Sequence, residues 1–141
     1  MTPISYVLDT NVVSALRRPT KNPQVAAWAA QIPITRLYIT APTIAELGLG
    51  VAAKERSDPI QGAILRRWLE TSVLPGFTDR ILSFDVAAAL ILSTYRVPEH
   101  APYDDALIAS IAQSRGMTVA TDNTRHFQHY GAEFLNPFDI P

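Results

Sequence analysis

Short apolar segments alternate with longer amphipathic segments along most of this chain. Five apolar segments have the length and the β-forming residues of strands, and they cover Ser5–Leu8, Leu37–Thr40, Ile81–Phe84, Met117–Ala120 and Glu133–Asn136. The intervening patterns predict helices over Asn11–Arg18, Pro23–Gln31, Pro42–Lys54, Pro59–Gly76, Val86–Val97 and Tyr103–Arg115, and one helical turn over Phe127–Tyr130. Strands that alternate with helices indicate crossover connections, so the pattern predicts a three-layer α/β/α sandwich with a five-stranded parallel sheet.

Several polar residues are predicted to cap these helices. Asn22-Pro23 and Asp58-Pro59 each place a capping residue before a proline at the first helical position. Asp85 directly precedes the helix that begins at Val86, which is also typical of a cap. On the helix after Pro59 the apolar residues form one stripe, made of Ile60, Ile64, Leu65, Trp68 and Leu69. Trp28 and Trp68 both fall on apolar stripes, so we expect them in the core.

Composition narrows the class of protein. A chain of 141 residues fits one domain over residues 1–141, and 48% hydrophobic with 18% charged residues excludes a disordered chain. The absence of cysteine excludes a disulfide scaffold, a thiolate zinc site and a cysteine nucleophile. The sequence has neither a signal peptide nor a run of about 18 apolar residues that would span a membrane, so we expect a soluble cytoplasmic protein.

Acidic residues follow or flank the predicted strands. Ligands of parallel α/β sheets bind beyond the carboxyl ends of the strands, where Asp9 and the pair Asp122-Asn123 are expected. Asp9 also fits a cap of the following helix, and Asp122-Asn123 also fits an ordinary turn. Asp105 falls on the apolar face of its helix and is expected to point inward, whereas Asp104 is the better candidate for a helix cap.

Glu46 is the only polar side chain in the run from Ala45 to Ala53. A helix that is apolar on all sides is usually buried, so we expect Glu46 to be buried and to need a partner or a cation. The alternative is structural, because Thr43-x-x-Glu46 matches a capping box.

Carboxylates that converge in a partly buried pocket raise one another's pKa, and a hard divalent cation removes that conflict. Oxygen ligands favour Mg²⁺, with Mn²⁺ as a substitute, and such ions activate water for phosphodiester cleavage. Other chemistries lack their residues. His126 and His129 have no partner at metal-binding spacing, and the sequence contains neither a Gly-rich phosphate loop nor a serine nucleophile elbow.

Four segments resemble, in order, the motifs of PIN-domain ribonucleases, and specifically of VapC-type toxins of bacterial toxin–antitoxin pairs. They are Tyr6-Val7-Leu8-Asp9-Thr10-Asn11-Val12-Val13-Ser14, Thr43-Ile44-Ala45-Glu46-Leu47, Asp105-Ala106-Leu107-Ile108-Ala109 and Thr121-Asp122-Asn123-Thr124-Arg125-His126-Phe127. Asn136-Pro137-Phe138 resembles the usual ending of the family. The resemblance covers essentially the whole chain.

The resemblance implies strand order 3-2-1-4-5 and a Mg²⁺-dependent endoribonuclease. Asp9, Glu46 and Asp105 match the three acids of the family, with Asp9 and Asp105 as the metal ligands. The fourth position aligns with Asn123, and the adjacent Asp122 is an alternative. Asn11 and Thr121 align with residues that support the pocket. The resemblance also implies an RNA substrate, a homodimer and a cognate VapB-type antitoxin.

Three other function classes share some of these sequence features. A receiver-like phosphoacceptor also uses clustered acids and Mg²⁺, but it needs a lysine after a late strand, and the only lysines are Lys21 and Lys54. A non-catalytic PIN-like binding module normally lacks some of the acids that are present here. A metal-dependent nuclease outside toxin–antitoxin systems has the same pocket and stays open.

Overall fold

The strand nearest the N-terminus lies at the centre of a parallel sheet. In the computed structural model, which describes residues 3–96 and 103–140, the strands are β1 (Tyr6–Leu8), β2 (Leu37–Thr40), β3 (Ile81–Leu82), β4 (Thr118–Ala120) and β5 (Phe134–Leu135). They form one sheet in the order β3-β2-β1-β4-β5, and each neighbouring pair is parallel. The predicted three-layer fold and the strand order implied by the resemblance are therefore confirmed.

Helices cover both faces of the sheet. They are α1 (Thr10–Leu16), α2 (Pro23–Ala30), α3 (Ala41–Ser57), α4 (Pro59–Trp68), α5 (Leu74–Gly76), α6 (Val86–Leu92), α7 (Tyr103–Ser114) and α8 (Thr124–Phe127). A 3₁₀ turn, Ile34–Arg36, precedes β2, and a π-helical segment, Leu69–Val73, joins α4 to α5. None of the helices within the described residues is long and apolar enough to cross a membrane.

Two apolar cores lie on opposite faces of β1, because successive side chains of a strand point to opposite sides. Leu8 packs into a core with side chains of α1 to α4, whereas Val7 packs into a second core with side chains of α6 to α8. Both residues are fully buried. This two-sided burial fixes β1 at the centre, so the residue after Leu8 emerges in the middle of the carboxyl edge.

Most element boundaries differ from the prediction by a few residues. β3 and β5, at the two edges of the sheet, have two residues each instead of four, because each has a neighbour on one side only. α3 extends to Ser57 instead of Lys54. The helix from Val86 ends at Leu92, and Val97, its predicted end, lies outside the described residues. The single helical turn expected over Phe127–Tyr130 lies three residues earlier, as α8, and Phe127–Tyr130 forms a hydrogen-bonded turn after it.

The predicted caps were partly correct. Asp58 and Asp85 accept hydrogen bonds from the backbone N–H groups of Gln61 and Ala88, at 3.2 and 3.0 Å. Asn22 occupies the predicted N-cap position of α2, with Pro23 as the first helical residue, but its side chain does not cap the helix. Its side chain accepts no backbone hydrogen bond from α2 and instead donates to the carbonyl oxygens of the preceding turn.

The apolar stripe predicted on α4 is not uniformly buried. Ile60 and Ile64 are 75% and 49% exposed, which corrects the expectation that this stripe faces the core. The contact with α3 instead forms at Gly62, where an added Cβ would lie 2.4 Å from the Cα atom of Glu55. Of the two tryptophans, Trp28 is buried as expected, whereas Trp68 is half-buried and lines surface cavities.

Candidate acidic active site

Asp9 lies at the carboxyl end of β1 and is 2% exposed. Its Oδ1 atom accepts a hydrogen bond from the backbone N–H of Thr10 at 2.8 Å, so it caps α1 as the structural reading predicted. Its Oδ2 atom accepts hydrogen bonds from the Thr121 hydroxyl at 2.7 Å and the Asn11 side-chain amide at 3.1 Å. The carboxylate of Asp9 therefore caps α1 and also lies in the buried pocket, where groups far apart in the sequence hold it.

Burial raises the pKa of Asp9 from 3.8 to about 6. The hydrogen bond from Thr121 and that from the backbone of Thr10 lower this pKa, and the negative charges of Asp105 and Glu46 raise it. These charge effects indicate that the three acids implied by the resemblance lie within electrostatic range of one another. The ionised form of a buried carboxylate is destabilised when two other ionised carboxylates lie near it.

Asp105 lies in the first turn of α7 and is 6% exposed, so the expectation that it points inward is confirmed. Burial raises its pKa, the hydrogen bond and the charge of His126 lower it, and the charges of Asp104 and Asp122 raise it. Asp104 is exposed and lies inside the first helical turn, so it is not the cap that the sequence suggested.

His126 is the residue that sequence reasoning missed. Its Nδ1 atom lies 2.7 Å from the Oδ2 atom of Asp105, so this side chain holds one of the buried acids. In the sequence, His126 has no second histidine or cysteine at metal-binding spacing, so a metal-ligand pattern does not single it out. The available signal was topological, because α8 follows β4 and brings His126 to the same edge of the sheet as Asp9.

Glu46 is exposed, so the prediction that it is buried on an all-apolar helix was wrong. It also does not form the predicted capping box. Instead, the hydroxyl of Thr40 caps α3 by accepting a hydrogen bond from the backbone N–H of Thr43 at 3.2 Å. Partial burial raises the pKa of Glu46, the hydroxyl of Thr10 lowers it, and the charges of Asp104 and Asp105 raise it. Glu46 is therefore at the solvent side of the acidic cluster.

A row of threonine hydroxyls joins the helices that carry Asp9 and Glu46. The Oγ1 atom of Thr10 donates to that of Thr43 at 3.2 Å, and the hydroxyl of Thr40 lies 3.3 Å from the same atom. Thr40 and Thr43 are fully buried. Because buried hydroxyls need partners, this row fixes the start of α3 against the start of α1.

Asp122 and Asn123 are exposed at the corner after β4. Their backbone N–H groups donate to the side chains of Asn11 and Thr121, at 3.3 and 2.9 Å, which ties the corner to the residues that hold Asp9. The charge of Asp122 raises the pKa of Asp105, which indicates proximity to the acidic cluster. Asn123 makes no side-chain cap to α8.

The arrangement suits a divalent cation with a largely hydrated shell. Within residues 3–96 and 103–140, no three His, Asp or Glu side chains converge into a ready-made metal cage. Mg²⁺ generally keeps several waters and is bound by one or two carboxylates, which matches the pair of buried acids Asp9 and Asp105. Their raised pKa values fit the group, since a cation offsets both the desolvation of the buried carboxylates and the repulsion from neighbouring acids.

The sequence of this chain is similar to those of known proteins. The family described as "PIN domain" matches residues 6–133. Toxin FitB of Neisseria gonorrhoeae is 36% identical over 141 residues, covering 94% of this chain and 97% of FitB. Ribonuclease VapC14 of Mycobacterium tuberculosis is 54% identical over 71 residues, covering 50% of this chain and 69% of that protein.

A solved structure is similar over nearly the whole chain. The crystal structure of FitAcB from Neisseria gonorrhoeae has a TM-score of 0.86 and 35% sequence identity, covering 96% of this chain and 99% of that chain. The similarity extends over nearly the whole fold, so the order of the strands in the sheet has a known structural counterpart.

Proposed function

This chain belongs to the PIN-domain family, and from that premise we propose that it is a divalent-metal-dependent endoribonuclease and the toxin of a toxin–antitoxin pair. FitB is named as a toxin and VapC14 as a ribonuclease, which supports both halves of the proposal. The observation that carries it is the pair of buried acids, Asp9 and Asp105, whose pKa values are raised at the carboxyl edge of the sheet.

In this proposal Asp9 and Asp105 hold Mg²⁺, and Mn²⁺ is a substitute. The bound ion supplies an activated water and charge stabilisation for cleavage of an RNA phosphodiester bond. Thr121 and Asn11 orient the carboxylate of Asp9 through the hydrogen bonds to its Oδ2 atom. These bonds keep one oxygen of a buried acid in a fixed direction.

Glu46 and the corner after β4 complete the pocket. Glu46 is exposed and acts at the solvent side, where it orients water. For the fourth pocket residue, we favour Asp122 over Asn123, because the charge of Asp122 raises the pKa of Asp105. His126 holds Asp105 in place through its Nδ1 atom.

The partners that we propose for this chain are inferred from its relatives. The solved structures similar to this chain include one titled as FitAB bound to a DNA fragment and several titled as VapBC complexes. We therefore expect a cognate VapB-type antitoxin that covers the acidic site, and a homodimer of the toxin. Light scattering of the purified chain, alone and with the product of a neighbouring short reading frame, tests both expectations.

Replacement of the two buried acids tests the catalytic assignment. Asp9→Asn and Asp105→Asn are expected to abolish RNA cleavage and growth inhibition, with circular dichroism unchanged. Asp58→Asn is the matched control, because Asp58 lies outside the site and asparagine caps a helix equally well. A nucleolytic, toxic Asp9→Asn protein would refute the assignment.

Metal titration separates the enzyme from a non-catalytic PIN-like module. Calorimetry with Mn²⁺ is expected to give binding that Asp9→Asn removes and Asp58→Asn keeps. Absence of binding of Mg²⁺ and Mn²⁺ to the unmodified chain favours the binding module instead. RNA-end mapping after brief induction then separates a toxin that cuts defined transcripts from a nuclease with another cellular role.

A further inference from the structure

A cavity of about 320 Å³ opens beside the acidic cluster, between α1, α3 and α4. Thr10 and Glu46 form the wall that the cavity shares with the acidic site, and Ser14 and Arg17 continue that wall along α1. The remaining lining consists mostly of apolar side chains of α3 and α4, with the indole of Trp68 among them. The cavity therefore combines polar and apolar lining and shares residues with the candidate active site.

Arg17 and Trp68 form the outer end of this cavity. The Cζ atom of Arg17 lies 5.9 Å from the centre of the Trp68 ring, and the same two residues line a second cavity of about 120 Å³. Arg17 is half-buried, and it forms no salt bridge among the residues that the structure describes. A half-buried cation without a counter-ion favours an anionic ligand.

We propose that this Arg17–Trp68 cavity is a subsite for one nucleotide of single-stranded RNA, adjacent to the bond that is cut. The proposal rests on the proposed ribonuclease function and names where its substrate binds. The Arg17 guanidinium takes a backbone phosphate, and the indole of Trp68 offers its apolar surface to a base. Arginine contacts to phosphate and aromatic contacts to unstacked bases are the usual means of binding single-stranded nucleic acid.

The observations favour RNA over a peptide as the occupant. The cavity shares Thr10 and Glu46 with the acidic site, so a chain whose phosphate reaches that site passes this cavity next. An unpaired arginine complements the charge of RNA. A helical peptide would need a longer apolar groove, whereas the lining of this cavity includes the polar side chains of Thr10, Ser14 and Glu46.

The charge of Arg17 is tested by Arg17→Gln, which keeps most of the side-chain length. With single-stranded RNA as the substrate and Mn²⁺ at saturation, KM is expected to rise about tenfold and kcat to change little. Arg18→Gln is the matched control, because Arg18 carries the same charge, is exposed, and lines neither cavity. Its KM is expected to stay within about twofold.

The space of the cavity is tested by Gly50→Leu. Gly50 lines the cavity, and a Cβ built on it meets no atom within 4 Å, so the backbone at this position accepts a side chain, and a leucine there is expected to occupy space in the cavity. We expect KM to rise about tenfold, as when a stacked base is lost. Gly48→Leu is the control, because Gly48 is in the same helix, is equally free of contacts and does not line the cavity.

A binding measurement makes the two proposals separable. In a Trp28→Phe background Trp68 is the only tryptophan, and an oligouridylate of about ten nucleotides in EDTA is expected to quench its fluorescence. Quenching without any cleavage in Mn²⁺ supports the subsite and overturns the ribonuclease. Cleavage with KM unchanged by both Arg17→Gln and Gly50→Leu overturns the subsite. Loss of antitoxin binding alone in these two variants assigns the cavity to a protein and also overturns it.

Discussion

Single side chains at the acidic edge each make several contacts that matter. The carboxylate of Asp9 caps α1 and accepts hydrogen bonds from Thr121 and Asn11. Because all its partners donate, the ionised carboxylate is oriented even though its burial disfavours the charge. Within residues 3–96 and 103–140, the side-chain partner of Asp105 is the ring of His126.

His126 is expected to control metal affinity through Asp105. His126→Ala removes the contact at 2.7 Å and leaves a nearly buried carboxylate without its orienting partner. Loss of a partner that orients a metal ligand typically weakens metal binding by about 10- to 100-fold. Calorimetric titration with Mn²⁺ measures this change.

Two further variants make the result specific. His126→Asn keeps a side-chain N–H near the position of Nδ1 and is expected to recover part of the affinity. His129→Ala, at an exposed histidine two residues beyond α8, is expected to leave the affinity unchanged. Equal affinities for His126→Ala and the unmodified chain contradict a positioning role.

Much of the site could be predicted at this scale. Asp9 and Asp105 were placed correctly because position after a strand and side on a helix follow from sequence spacing. The burial of Glu46 was wrong, since Gly50 and Ala53 counted as apolar in the helical pattern although residues with so little surface do not drive burial. The contact between His126 and Asp105 joins residues 21 positions apart, and no local pattern contains it.

At the scale of elements, the packing of α3 on α4 depends on one glycine. An added Cβ at Gly62 would lie 2.4 and 2.6 Å from backbone atoms of Glu55, so only a glycine permits this approach. The two helices are also joined by the ion pair between Arg66 and Glu55, at 2.7 Å.

Gly62→Ala is expected to destabilise the protein by about 1–3 kcal/mol, because the backbone of α3 must move away from α4. Gly48→Ala is the matched change at an open position of a helix interior, and it is expected to stabilise by about 0.5–1 kcal/mol. Urea denaturation of both variants measures the difference in free energy of unfolding. The argument fails if both alanines have the same effect.

The elements themselves were largely predictable, because each depends on local spacing and on the turn residues between segments. The sequence could not reveal which neighbouring element each helix face packs against. Ile60 and Ile64 lie on a regular apolar stripe and yet remain exposed, since α4 contacts α3 through Gly62 instead. The length of the edge strands depends in the same way on how many neighbours each strand has.

For the whole molecule, the acidic cluster lowers stability when the metal is absent. The pKa of Asp9 is 3.8 in a reference peptide and about 6 in the fold, so the folded protein holds more protons between these values. The free energy of unfolding therefore falls as the pH rises through this window, by about 3 kcal/mol at most from this group. Above the folded pKa the full cost of the ionised acid is present.

Urea denaturation in EDTA, at about pH 4 and about pH 7, tests this dependence. The unmodified chain is expected to lose more stability than Asp9→Asn between the two values. Addition of Mn²⁺ at the higher pH is expected to restore stability to the unmodified chain and not to Asp9→Asn, since a ligand of the folded state stabilises it. Equal pH dependence of the two proteins would show that burial of Asp9 does not raise its pKa and does not lower the stability.

The hydrogen bond between Thr121 and Asp9 has a consequence for how the protein is made. These residues are 112 positions apart, and β1 also needs β4 beside it to become the central strand. During synthesis from the N-terminus, the first acid of the site is complete before any group that orients it from β4 has been added. A nascent chain that has not yet reached β4 lacks the assembled pocket, so the activity proposed for it requires β4 to be synthesised and paired with β1 first.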